Sequence, residues 1–229
     1  MGFNGFPEAL FSFLEELKVN NNRPWFQENK PRYEQHIVAP VQGFIESVGH
    51  FLPIISESFV ADTRRQGGSM FRIYRDARFT KDKRPYKEHI GCQFRHRAGK
   101  DAHAPGFYVH ISPHEVFVGG GVWTPPNNVL DEIRQAIVAN PGRWADVVND
   151  PVFCTRYGGV VGDGLKRAPR GYDPDHLYID DLKRKSFFAV QHLPPESILS
   201  VDFIDEVESA FEAVSPLMGF LCRAVKVSY

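Results

Sequence analysis

Between Met70 and Lys87 the chain reads MFRIYRDARFTKDKRPYK. Arg72, Arg75, Arg78, Lys81, Lys83, Arg84 and Lys87 stand there against Asp76 and Asp82, with Phe71, Tyr74, Phe79 and Tyr86 between them. Arginine offers a planar fork of donors and lysine a compact charge, a mixture suited to phosphate or carboxylate. Arg72, Arg75, Arg78, Lys81, Lys83 and Lys87 are therefore the candidate anion-binding residues, with Phe79, Pro85 and Tyr86 stiffening the segment. A competing reading is that Asp76 and other acids only neutralise arginines that folding would otherwise leave buried and unpaired.

Two further stretches carry cations. Gly162-x-Gly164-x-Lys166 leads into Lys166-Arg167-x-Pro169-Arg170-Gly171-Tyr172, and Lys183-Arg184-Lys185 precedes an apolar run. Glycine beside cations resembles a phosphate cradle, but neither G-x-x-x-x-G-K-[ST] nor G-x-G-x-x-G is present. Arg170, fixed between Pro169 and Gly171, joins the anion-binding candidates. Gly119-Gly120-Gly121 reads either as a place where another backbone passes close or as access for a ligand beside Trp123. The helix start at Asn127 to Leu130 could offer free N–H groups to an anion. Asp76, Asp82, His110 and His176 are the candidate acids and bases. His110 and His114 are four apart, but Pro113 and the strand pattern argue against a helix aligning them, so no metal site and no cofactor is expected. G-x-S-x-G is absent, leaving a serine hydrolase unsupported.

The formal net charge of -1 hides a contrast. From Arg64 to Lys100 twelve Lys or Arg face three Asp or Glu, so the rest of the chain is acidic. The expected partner is an anionic small molecule or a phosphate-containing ligand. Nucleic acid is less favoured, because its binders are usually basic overall and the isoelectric point is near 6.8. Cys92, Cys154 and Cys222 are widely spaced, which suits a reducing, cytoplasmic setting better than a disulfide framework. The N-terminus lacks a basic n-region, and no run of about 18 uncharged apolar residues suggests a membrane partner.

These residues need a scaffold. Phe6, Leu10, Phe13, Leu14 and Leu17 recur at helical spacing after Pro7, and Asn20-Asn21-Asn22 offers a stop. A second helix is expected from Trp25 through Tyr33 toward Phe51, interrupted at Pro40 and ended by Pro53. Trp25, Phe26 and Tyr33 are expected to tie these helices to a sheet. Ser69 to Arg75, His89 to His96, Gly106 to Ile111, Glu115 to Val118 and Ser186 to Gln191 read as strands, with Gly119 to Gly121 ending the meander. Helices follow at Val129 to Ile137, around Trp144 to Val148, from Asp202, and as a separate piece from Leu217 to Val225. Consecutive strands without crossover helices give the fold class: α+β, a single domain over residues 1–229, with a mainly antiparallel sheet flanked by N-terminal and C-terminal helices.

The pattern R-x-Y-R-D-x-R-F-[ST]-K-D-K-x-P-Y-K, here Arg72 to Lys87, resembles the signature of a family catalogued as a domain of unknown function, family 2461, or conserved hypothetical protein. FLEELKVNNNRPWFQENKPRY (Phe13 to Tyr33), GFYVHISPHEVFVGGGVWTPP (Gly106 to Pro126), GDGLKRAPRGYDPDH (Gly162 to His176) and LKRKSFF (Leu182 to Phe188) are similar to the same family. The resemblance implies one compact domain and carries no activity. Three readings stand: a module binding an anion, an enzyme acting on a phosphate-containing or nucleic-acid substrate, and a structural protein whose charges pair internally. The first is favoured.

Overall fold

The computed structural model describes residues 2–76, 78, 80–99 and 104–229. Its helical layer begins with α1 (Glu8–Val19), which buries Leu10, Phe13, Leu14 and Leu17 on one stripe. Asn22 then caps α2 (Arg23–Glu28) by accepting the Trp25 N–H, satisfying one of the donors a helix start leaves open. The chain continues through α3 (Lys30–Tyr33), a π-helical turn at Glu34–Val38, and α4 (Ala39–Ile55). The interruption expected at Pro40 is that wide turn: Pro40 is the second residue of α4, and the π-helical register just before it accommodates a residue without an N–H inside a continuous helix. Pro53 lies inside α4, which ends two residues later. The run Lys30–Ile55 is long and apolar enough to span a bilayer by length and composition. Its apolar stripe, Val41, Phe44, Ile45 and Val48, lies in the core.

One sheet follows, formed by β1 (Phe59–Val60), β2 (Ile90–His96), β3 (Gly106–Ile111), β4 (Val116–Val122) and β5 (Phe187–Leu193). The strands lie in chain order and every pair is antiparallel. Between β4 and β5 come α5 (Asn127–Ala139), α6 (Pro141–Val148), α7 (Pro151–Tyr157) and α8 (Ile179–Leu182). After β5, a 3-10 turn at Pro195–Leu199 leads into α9 (Phe203–Ala224). The protein is thus mixed helix and strand, with one antiparallel sheet and helices toward both termini.

Strand alternation sorts the sheet's side chains. Phe94 and Phe107 are register partners, as are Val109 and Val118, and all four are fully buried. They face α9, where Phe211 stacks on Phe107 at 4.6 Å between ring centres. Gly120 sits on that same face, where a Cβ would stand 2.9 Å from Met218 Sδ and 3.2 Å from Val214 Cγ1. Its missing side chain lets α9 approach β4.

Several elements depart from the sequence reading. Ser69 to Arg75 forms isolated bridges, Met70 to Cys92 and Tyr74 to Tyr86, in place of a strand. Its interleaved charges leave too little apolar surface for a sheet interior. β4 runs straight through Gly119 to Gly121 instead of ending there. The C-terminal helix is continuous across Pro216, where two pieces were expected. Of the three N-terminal anchors, Phe26 and Tyr33 are buried, whereas Trp25 is half-buried with its ring 5.6 Å from Phe13.

Candidate anion-binding pocket

The basic segment is held by backbone bonds at both ends. The Phe71 N–H donates to the Gly91 carbonyl at 2.8 Å, fastening it to β2. The Lys87 N–H donates to Ile73 O at 2.8 Å and the Arg75 N–H to Pro85 O at 2.9 Å, so its two arms zip together. Asn21 pins the far arm to the helical layer. Its side-chain amide donates to Tyr86 O, while its side-chain oxygen accepts the Tyr86 N–H, both at 3.1 Å. Tyr86 is buried and stacks on Phe26 at 4.2 Å. The sequence reading took Asn21 only as part of a helix stop.

Between this hairpin-like segment and α2 lies a concavity of about 880 Å³. Arg72, Arg75, Arg78 and Lys83 line it from the segment and Arg23 from α2, with Tyr74 and Tyr86 among its walls. Asp76 is the carboxylate in the lining. Arg23 carried no signal in the sequence, because only the packing of Phe26 on Tyr86 brings α2 beside the segment.

Acids organise much of this charge. Arg75 meets Asp82 at 2.5 Å, and Arg84 bridges Asp82 at 2.6 Å and also Glu88. Arg78 forks onto Asp76 at 2.9 and 2.7 Å. Hydrogen bonds from Arg78 hold Asp76 down at a pKa of about 2. Those from Arg84 and then Arg75 hold Asp82 further below the carboxylate range. Both acids are therefore ionised near neutrality and position arginines. Arg72 and Arg23 differ: neither guanidinium has a hydrogen bond or ion pair among the described residues.

The remaining candidates scatter. Lys81 is exposed and outside the pocket lining. Lys87 turns its ammonium to Arg72 O at 3.0 Å and over the Phe71 ring at 5.1 Å. Arg170 and His176 line a separate hollow beside Tyr172, whose hydroxyl donates to Asp131 at 2.6 Å. Phe79 lies outside the described residues. Lys166 and Arg167 are exposed. Asn127 begins α5 as expected, but Pro126 precedes it and no side chain caps it.

His110 is on the sheet face turned away from α9. Its ring is 4.5 Å from His89 and stacks on Phe117 at 4.6 Å, and the Tyr108 hydroxyl is 3.3 Å from its Nδ1. Burial first, then neighbouring charge, pushes His89 and His110 each down to about 4. A histidine depressed in the folded state is protonated first in the unfolded chain, so acid favours unfolding. Stability should be flat above about pH 6.5 and fall between there and pH 4, by about 2 kcal/mol for the stacked, partly solvated pair. Urea midpoints across that range check this, and His110→Gln should flatten the slope. A wild-type profile unchanged down to pH 4 would contradict the depressed histidines.

Fold and pocket together define a mixed α/β protein carrying an arginine-rich surface pocket beside an antiparallel sheet. The chain belongs to the family described as conserved hypothetical protein (DUF2461), whose model matches residues 9–220. No curated protein matches the chain.

Proposed function

We propose that this protein binds a phosphorylated or otherwise anionic ligand in the pocket between residues 72–86 and α2. The observation that carries the reading is the lining: Arg23, Arg72, Arg75, Arg78 and Lys83 against Asp76 as the one carboxylate among the described residues. Arg75 and Arg78 are held in place by acids, while among the described residues the Arg72 and Arg23 guanidiniums make no hydrogen bond or ion pair. Like charges gathered this closely repel, and an anion relieves that repulsion. Binding without turnover is the reading, because the pocket's carboxylate is engaged by Arg78. The proposal places the chain in the cytoplasm as a single domain over residues 1–229, without a cofactor.

A thermal-shift and calorimetric screen of inorganic phosphate, sugar phosphates and dicarboxylates tests it. A ligand at a hundred times its dissociation constant should add about 2.7 kcal/mol of apparent stability. Arg72→Ala and Arg23→Ala should abolish that gain with little loss of stability, since neither side chain has a hydrogen bond or ion pair among the described residues. The gain should also shrink with added salt. The proposal fails if no anion shifts the melting curve, or if both variants retain the full shift.

A further inference from the structure

We infer that the sheet face turned away from α9 binds a mononucleotide, its base over a glycine floor and its phosphate at Lys185. On an antiparallel sheet, a solvent-facing surface ordinarily carries polar side chains. Here the outward positions of β3, β4 and β5 are glycine, aromatic residues, valine and histidine, with no Lys, Arg, Asp or Glu. A groove of about 570 Å³ crosses this face, the size of a small-molecule site. Bare backbone at Gly106, Gly119 and Gly121 contributes to its surface. Tyr108 and Phe117 line it on one side of that floor; Phe188 and Trp123 close it on the other. Flat backbone between rings is complementary to a planar ring, and every nucleobase has a face that stacks on aromatic side chains. Trp123 is 63% exposed and lies 4.7 Å from Phe188 at the edge of the groove.

The groove's ends carry different charge. Trp123 and Phe188 also line a second hollow of about 510 Å³, formed by Gly162, Asp163, Lys185 and Ser186. Arg184 reaches it too but is bound to Asp181 at 2.9 Å. The Lys185 ammonium has no hydrogen bond or ion pair among the described residues, although the Asp163 carboxylate shares the hollow. At the other end Glu115 lies beside His192, with 3.7 Å between Oε1 and Nδ1. A phosphate therefore suits the Lys185 end, while Glu115 lies at the far end of the strands. A single nucleotide is favoured over a nucleic-acid strand, since among the described residues no cationic stripe follows the groove and the isoelectric point is near 6.8.

Titration calorimetry of the full chain with AMP, UMP, adenosine and a short single-stranded oligonucleotide tests the inference. AMP should bind saturably and quench tryptophan fluorescence, with UMP weaker because its smaller ring covers less of the aromatic lining. Trp123→Ala should weaken AMP by about tenfold or more, the measure of a lost stacking platform. Lys185→Ala should weaken AMP but leave adenosine unchanged. Both side chains are exposed, and circular dichroism verifies that the variants fold. Four results would overturn the inference: no saturable nucleotide binding at millimolar concentration, AMP affinity unchanged in both variants, an oligonucleotide preferred over AMP, or AMP binding that Arg72→Ala abolishes and Lys185→Ala spares. The last would assign the phosphate to the arginine pocket.

Discussion

Gly119→Ala should cost the protein roughly 3 kcal/mol, the upper part of the range for a group forced into a packed site. Gly119 pairs with Val190 across β4 and β5, and a Cβ there would overlap the neighbouring Ala189 carbonyl oxygen. Backbone in a hydrogen-bonded ladder cannot yield as a flexible side chain can. Relief requires the two strands to separate, sacrificing bonds on either side. Gly121 is subject to the same constraint and a second one: a Cβ would overlap Phe187 O, and φ is +143°, a region L-residues rarely adopt. Gly120 provides the contrast. Its Cβ would meet Met218 and Val214 side chains, which can shift by a few tenths of an ångström. Urea denaturation of the three alanine variants should therefore rank Gly120→Ala as the mildest. Equal losses at all three positions would refute the strand-crowding explanation. The first of the two readings of this triplet, a close approach of another backbone, thus has its cause in β5, and the same bare backbone contributes to the groove.

The second large effect is expected at Trp144. This side chain of α6 is fully buried and packs 4.9 Å from the Phe220 ring of α9 and 6.1 Å from Phe187 of β5. Truncation to alanine should cost about 3–5 kcal/mol through lost contacts and the cavity left behind. Its indole N–H also donates to Asp181 at 2.8 Å, and Asp181 accepts from Arg184 Nε at 2.9 Å. Trp144→Phe should recover much of the packing but not this bond, a loss on the order of 1 kcal/mol. Amide exchange should then quicken around Arg184 and Lys185 more than elsewhere. If Trp144→Phe were as damaging as Trp144→Ala, the hydrogen bond and not the packing would govern the site.

Much of the scaffold was readable along the chain because its causes are local. The stripe Leu10, Phe13, Leu14 and Leu17 can lie on one side only of a helix. The alternation of Phe107, Val109 and Ile111 with Tyr108 and His110 can face a core only as a strand. Extra elements such as β1 and α7 escaped detection because two residues, or a short turn after Pro151, carry little periodic signal. The basic segment misled for a related reason. Its alternating rings and charges imitate a strand, yet its backbone bonds run partly to β2 and partly across its own hairpin.

The sequence by itself determined which residues would be chemically conspicuous: the Arg72 to Lys87 cations, Arg170, the glycine triplet and Lys183 to Lys185. Composition and spacing are properties of the chain, and folding does not alter them. Tertiary structure alone decided which of these groups meet. It brought Arg23 to Arg72, committed Arg75, Arg78 and Arg84 to acids, turned Lys87 away and left Arg170 and His110 elsewhere. It also set Gly119, Gly121, Trp123 and Lys185 along one side of the sheet, although more than sixty residues separate Gly121 from Lys185 in the chain. Such proximity depends on strand register and on which face packs against α9, and both are fixed only when the apolar surfaces of the whole chain find one another.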